Sequence, residues 1–216
     1  MLLKCNVGEE TSETTDTIEN ISQIKDTRLL IKNLSISVID GPGLEDTAGV
    51  EIDTKNILCH QRFLETHPQL VSVKPNVVMI TLKVTEDRLG GENNTDTPFA
   101  RMLKAVKEFL GPKLIDTQHP NVIFVLTNFH SFTDRRVKEV LPNRIKTIKI
   151  LSAICLGVIN PQVVVTENCP DEHNDLKKDE HGWYDLRNGD KLPLTLFNTL
   201  IQLCKKSGDL IGESVC

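Results

Sequence analysis

No stretch of this sequence is apolar for long enough to cross a bilayer. The longest run, residues 150–159, has ten positions and is broken by Ser152 and Gly157, against the roughly 20 that a spanning helix needs. The six cysteines, at 5, 59, 155, 169, 204 and 216, include no Cys-x-x-Cys pair, which excludes a zinc knuckle and a redox motif of that kind. A reduced cytoplasmic chain with incidental thiols is the expectation. Cys216 ends the chain, the wrong position for prenylation, and the opening Met-Leu-Leu-Lys-Cys-Asn is too short and polar for a secretory signal. Positive charge is not in excess either. The 25 Lys and Arg against 30 Asp and Glu give a net charge of −5, which disfavours a nucleic-acid or anionic-membrane partner. There is no internal repeat, and no nucleophile elbow or triad to carry an unrelated α/β hydrolase or transferase.

What is present is a chain of 216 residues, 39% apolar and 25% charged, long enough for a single soluble domain, residues 1–216, with a substantial core. Its organising stretch is residues 35–47. Leu34, Ile36, Val38 and Ile39 form an apolar, β-branched run that reads as a buried strand. The run stops at Asp40, and Gly41-Pro42-Gly43 cannot continue it. The plain reading is an Asp-Gly turn. The chemical reading is that Asp40 holds a magnesium ion through water while the Gly43 amide approaches a phosphate unhindered by a side chain.

The remainder alternates strand and helix. A polar loop, residues 8–18, precedes the organising strand; a Thr14 or Thr15 hydroxyl there could ligate a metal, or the loop is simply solvated. Residues 28–32, a Lys32-Asn33 turn and residues 34–39 read as a hairpin. A helix is expected over 56–66, closed by Pro68, and a buried strand over 76–84. Thr97-Pro98 opens a helix bearing Phe99, Met102, Leu103, Val106, Phe109 and Leu110 on one face, with Gly111-Pro112 as its stop. A third buried strand covers 121–126, and a helix broken near Pro142 covers 134–157. The last strand spans 162–166. An acidic insertion, residues 170–191, follows, and an amphipathic helix from Pro193 to about Lys206 closes the order. Nearly all-apolar strands alternating with helices mean α/β architecture, a mostly parallel sheet covered on both faces with one antiparallel edge hairpin. In the insertion, His173 and His181 among Asp171, Glu172, Asp175, Asp179 and Glu180 read as a charged loop more than a metal site. Trp183 and Tyr184 either pin the insertion to the body or face a partner.

A Thr-rich loop, the Asp40-Gly-Pro-Gly-Leu-Glu-Asp-Thr47 octapeptide, a strand ending in Thr127-Asn128-x-His130 and another ending in Glu167-Asn168 follow one another in order. In this the chain resembles the guanine-nucleotide-binding domain of septin-like GTPases, the AIG-type (GIMAP) group in particular. The octapeptide is similar to that group's Asp-Thr-Pro-Gly-Leu-x-Asp-Thr signature, and residues 196–204 resemble its terminal helix. The resemblance implies a P-loop-NTPase-like three-layer sandwich that binds GTP or GDP with Mg2+, acts as a switch, and self-associates through its nucleotide face. Asp40 and Thr14 or Thr15 would serve the metal, and Gly43 the terminal phosphate. Thr127, Asn128, His130, Glu167 and Asn168 would lie around the base.

Three departures qualify it. Gly-x-x-x-x-Gly-Lys-Ser/Thr occurs nowhere, so the domain is expected to be incomplete at its amino end. Its first central strand and phosphate loop would then be missing, and nucleotide binding weak or absent. His130 stands where the family has a carboxylate, which leaves one acceptor at most for guanine. Leu44 follows Gly43 where a water-orienting glutamine is expected, so hydrolysis would be slow or partner-assisted. A nucleotide-free pseudo-GTPase serving as an interaction module is the alternative.

Overall fold

The computed structural model describes residues 21–25, 35–39, 50–66, 76–91, 94–116, 121–168, 170–173 and 175–206. Strands β3 (Val78–Lys83), β4 (Val122–Thr127) and β5 (Gln162–Val165) form a parallel sheet in the order β3-β4-β5. Val78 pairs with Val122, and Ile123 with Gln162. A second sheet is antiparallel, β1 (Ile21–Lys25) against β2 (Ser35–Ile39). The chain is therefore mixed α/β.

Alternation along the parallel strands divides the core in two. Val78, Ile80, Leu82, Val122, Phe124 and Leu126 join one buried cluster, whereas Met79, Ile123, Val125 and Val164 join another. On the first face lie α2 (Pro98–Ala105) and α5 (Leu141–Leu151), through Phe99, Leu103, Ile148 and Leu151. On the second lies α6 (Leu194–Lys206), through Leu200 and Leu203. A strand covered on both faces must be apolar at every position, which is why these segments lack a polar alternation.

Several boundaries differ from the sequence expectations. The partner of β2 is residues 21–25, not 28–32; the register runs from Ile21 opposite Ile39 to Lys25 opposite Ser35. Among the described residues this pair forms a two-stranded sheet of its own, and no ladder joins it to the parallel sheet. Helix α1 spans Val50–Thr66, beginning six residues earlier than its apolar spacing suggests. The helix opened by Thr97 does not stop at Gly111-Pro112. It widens into a π turn, Val106–Leu110, and resumes as α3, Gly111–Leu114. Gly111 N–H bonds back to the Val106 carbonyl, and Pro112 then falls in the first turn of a new segment, where its missing N–H costs nothing. The start of α2 is as the sequence indicates: the Thr97 hydroxyl accepts from Ala100 N–H at 3.1 Å. The break at Pro142 also appears, between α4 (Asp134–Glu139) and α5, and a second π turn, Ser152–Leu156, extends α5.

The insertion folds back on itself. Strands β6 (Tyr184–Asp185) and β7 (Lys191–Leu192) pair antiparallel, and Tyr184, Leu186 and Leu192 are buried in the main core. Tyr184 therefore pins the insertion, and its hydroxyl donates to Asp171. Among the described residues, no helix is long and apolar enough to cross a membrane.

Candidate functional site

Ligands of open α/β sheets gather beyond the carboxyl ends of parallel strands. At that end of β4 the chain turns sharply. Thr127 closes the strand, its hydroxyl donating to the Leu82 carbonyl at 3.2 Å, so that hydroxyl stitches β4 to β3. Asn128 takes a left-handed conformation, φ 57°, which its short polar side chain tolerates better than most. Phe129–Ser131 then makes a single 3-10 turn, with Phe129 buried beneath it. The turn is tied to β5 by Phe129 N–H donating to the Thr166 carbonyl at 3.3 Å.

The strongest link between the two strand ends is Glu167. Its side chain is only 4% exposed. One carboxylate oxygen accepts from the His130 N–H at 2.7 Å, and the other from the Asn168 N–H at 2.9 Å. Charge-assisted bonds of this kind are the strong ones. Thus Thr127, Asn128, His130, Glu167 and Asn168 do meet in one corner. Glu167, however, braces that corner through the backbone, since both its oxygens are engaged by amides.

The insertion supplies the other half. The His173 imidazole stacks on that of His130, ring centroids 3.7 Å apart and planes within 17°. His173 Nε2 lies 3.7 Å from Glu167 Oε1, and His130 Nε2 lies 3.5 Å from Asp175 Oδ1. Arg187 holds Asp175 with an Nη2 to Oδ2 contact of 2.9 Å, donates through Nη1 to the Phe132 carbonyl at 2.6 Å, and approaches Asp134 at 3.5 Å. The Arg187 bond is the main cause that lowers the Asp175 carboxyl below its usual range. Beside this clamp Phe129, Leu176 and Leu186 pack around His130 and Arg187, leaving a gap too narrow to admit a water. No family model, curated protein or solved structure matches the chain.

The remaining sequence candidates fall elsewhere. Asp40, Gly43, Thr14 and Thr15 lie outside the described residues, as does the octapeptide that contains two of them. Among the described residues, no three His, Cys, Asp or Glu side chains converge as a metal ion requires. His181 faces Glu180, Nε2 to Oε1 3.5 Å. Sequence reasoning placed His173 and Asp175 in a charged loop and assigned Arg187 no role. The only available signal was their place just after the Glu167-Asn168 strand end, because nothing in their spacing indicates which side chains return to His130.

Proposed function

We propose that this chain is a guanine-nucleotide-binding domain of the AIG-type, septin-like class on a P-loop-NTPase-like fold. The observation that supports the reading is the meeting of residues 127–130 with residues 167–168 at the ends of adjacent parallel strands, joined through Glu167. Those two segments are the ones that the resemblance implies lie around the base. In this reading Thr127, Asn128, His130 and Asn168 surround the base, and Gly43 donates its amide to the terminal phosphate. Asp40, with Thr14 or Thr15, holds Mg2+. The metal would neutralise phosphate charge, and Asp40 would orient its water shell. The chain acts as a switch in the cytoplasm and self-associates through the nucleotide face. No Gly-x-x-x-x-Gly-Lys-Ser/Thr stands in the 216 residues, so affinity is low and hydrolysis slow or partner-assisted.

A second reading, a nucleotide-free pseudo-GTPase used for protein interaction, has its own observation. His173 already stacks on His130, and the Glu167 carboxylate is fully engaged. Amide-resolved NMR with Mg-GTP, Mg-GDP and Mg-ATP separates the two. The nucleotide reading expects shifts confined to residues 127–130 and 167–168 and stronger for the guanine nucleotides. Saturation would also raise the melting temperature, since ligand at 100 times Kd stabilises by about 2.7 kcal/mol. Resonances that stay put throughout would leave the interaction module standing.

A further inference from the structure

We infer that the arm of the insertion carrying His173, Asp175 and Leu176 is an autoinhibitory strap. It holds the corner at the ends of β4 and β5 shut through side chains, and it lifts before a planar ring can lie against His130. The inference rests on the nucleotide reading above and deepens it by naming how access to that site is regulated. His173 already takes the place such a ring would need. Its imidazole lies parallel to that of His130 within 17°, the centroids 3.7 Å apart. Phe129, Leu176, Leu186 and Arg187 close round His130 and leave no room for even a water. As folded, the corner therefore excludes a base from this face of His130.

What holds the arm down is mostly polar and partly in water. Asp175 is 55% exposed; one of its oxygens meets Arg187 at 2.9 Å and the other lies 3.5 Å from His130 Nε2. His173 Nε2 lies 3.7 Å from Glu167 Oε1. Solvated ion pairs hold weakly, and Leu176 adds an apolar side chain that is only partly buried against the core. The backbone bonds of the arm are local: His173 N–H donates to the Pro170 carbonyl and Leu176 N–H to the His173 carbonyl. Among the described residues, no backbone bond ties the arm to the turn after β4. The hairpin beyond it is anchored instead. Tyr184, Leu186 and Leu192 are buried in the main core, and Arg187 donates to the Phe132 carbonyl at 2.6 Å. Asp171 is tied to that hairpin through the Tyr184 hydroxyl and Lys178, which sets the pivot. The arm can open while β6 and β7 stay in place, as weakly packed segments do. A ligand that binds only the lifted form loses apparent affinity in proportion to the rarity of that form, so loosening the arm should tighten binding.

The test titrates Mg-GDP into the 216-residue chain, followed by amide-resolved NMR, for wild type, His173→Ala and Asp175→Ala. On the nucleotide reading alone the shifts stay at residues 127–130 and 167–168; an arm that lifts adds His173, Asp175 and Leu176 to them. Each variant is expected to bind Mg-GDP about fivefold or more tightly than wild type, a gain that the loss of a merely structural contact would not produce. Asp175→Ala keeps the His173 ring, and so controls for a direct contact of that ring with the base. Shifts confined to the corner, or affinities of both variants no higher than wild type, overturn the inference and leave the nucleotide reading intact. Native-state hydrogen exchange on the wild type needs no variant to fold. The His173 and Leu176 amides should exchange through an opening that leaves the Leu186 amide, bonded to the Asp190 carbonyl, protected; exchange only in step with Leu186 overturns the inference as well. If Mg-GDP shifts no resonance in any of the three chains, the nucleotide reading falls and this inference with it.

Discussion

Glu167 shows how one side chain can hold a loop corner together. Its two oxygens satisfy the amides of His130 and Asn168, on segments 37 residues apart for the first of these bonds. Removing the acceptor leaves both N–H groups without a partner in a part-buried setting, at roughly 1–3 kcal/mol each. Glu167→Ala is therefore expected to lose about 2–4 kcal/mol of stability, and Glu167→Gln, which keeps one acceptor, about half of that. Urea unfolding reads this as a lower midpoint at unchanged slope. A Glu167→Ala midpoint equal to wild type would show that the bridge contributes nothing. The strand end at Glu167-Asn168 was legible in the sequence. The bracing role was not, because it depends on where the amide of His130 arrives.

At the scale of elements, the insertion hairpin is organised by Asp179. Lys191 Nζ reaches it at 2.6 Å, and the N–H groups of Trp183 and His181 donate to its other oxygen at 2.9 Å. Chiefly through the Lys191 bond, its pKa falls from 3.8 to about 2. A folded pKa below the unfolded one means stability that is fully present above pH 3.8 and lost as pH falls through about 2. The single tryptophan, Trp183, reports on this hairpin directly. Its fluorescence should change in acid with a midpoint near 2, and Asp179→Asn should lack that step. A wild-type midpoint near 3.8 would mean that the carboxylate gains nothing from its partners. The helices teach a related lesson about boundaries. Thr97-Pro98 marks a true start, because a cap acts on its own first turn. Gly111-Pro112 looks like a stop and is not one, since the π turn before it shifts Pro112 into a position that needs no N–H.

Across the whole molecule, stability is expected to concentrate on β4. It is the middle strand of the parallel sheet, paired on both sides, and its residues Val122 to Leu126 are all buried. Native-state hydrogen exchange should find the slowest amides in Val122–Thr127, with those of the insertion hairpin opening more readily. Exchange in β4 as fast as in the hairpin would place the stable centre elsewhere. The sequence by itself determined the rhythm of strand and helix, the parallel pairing and most of the faces that turn inward, although Phe109, expected on the apolar face of its helix, stands exposed in the π turn. A doubly covered strand is an apolar run, and a helix beside it must carry one apolar stripe, so both leave marks along the sequence. Only the tertiary structure decided that His173 lies on His130, that Arg187 grips Asp175, and that Glu167 ends on two amides. Those contacts join loops distant along the chain, and polar loop residues carry no periodicity from which their partners could be read.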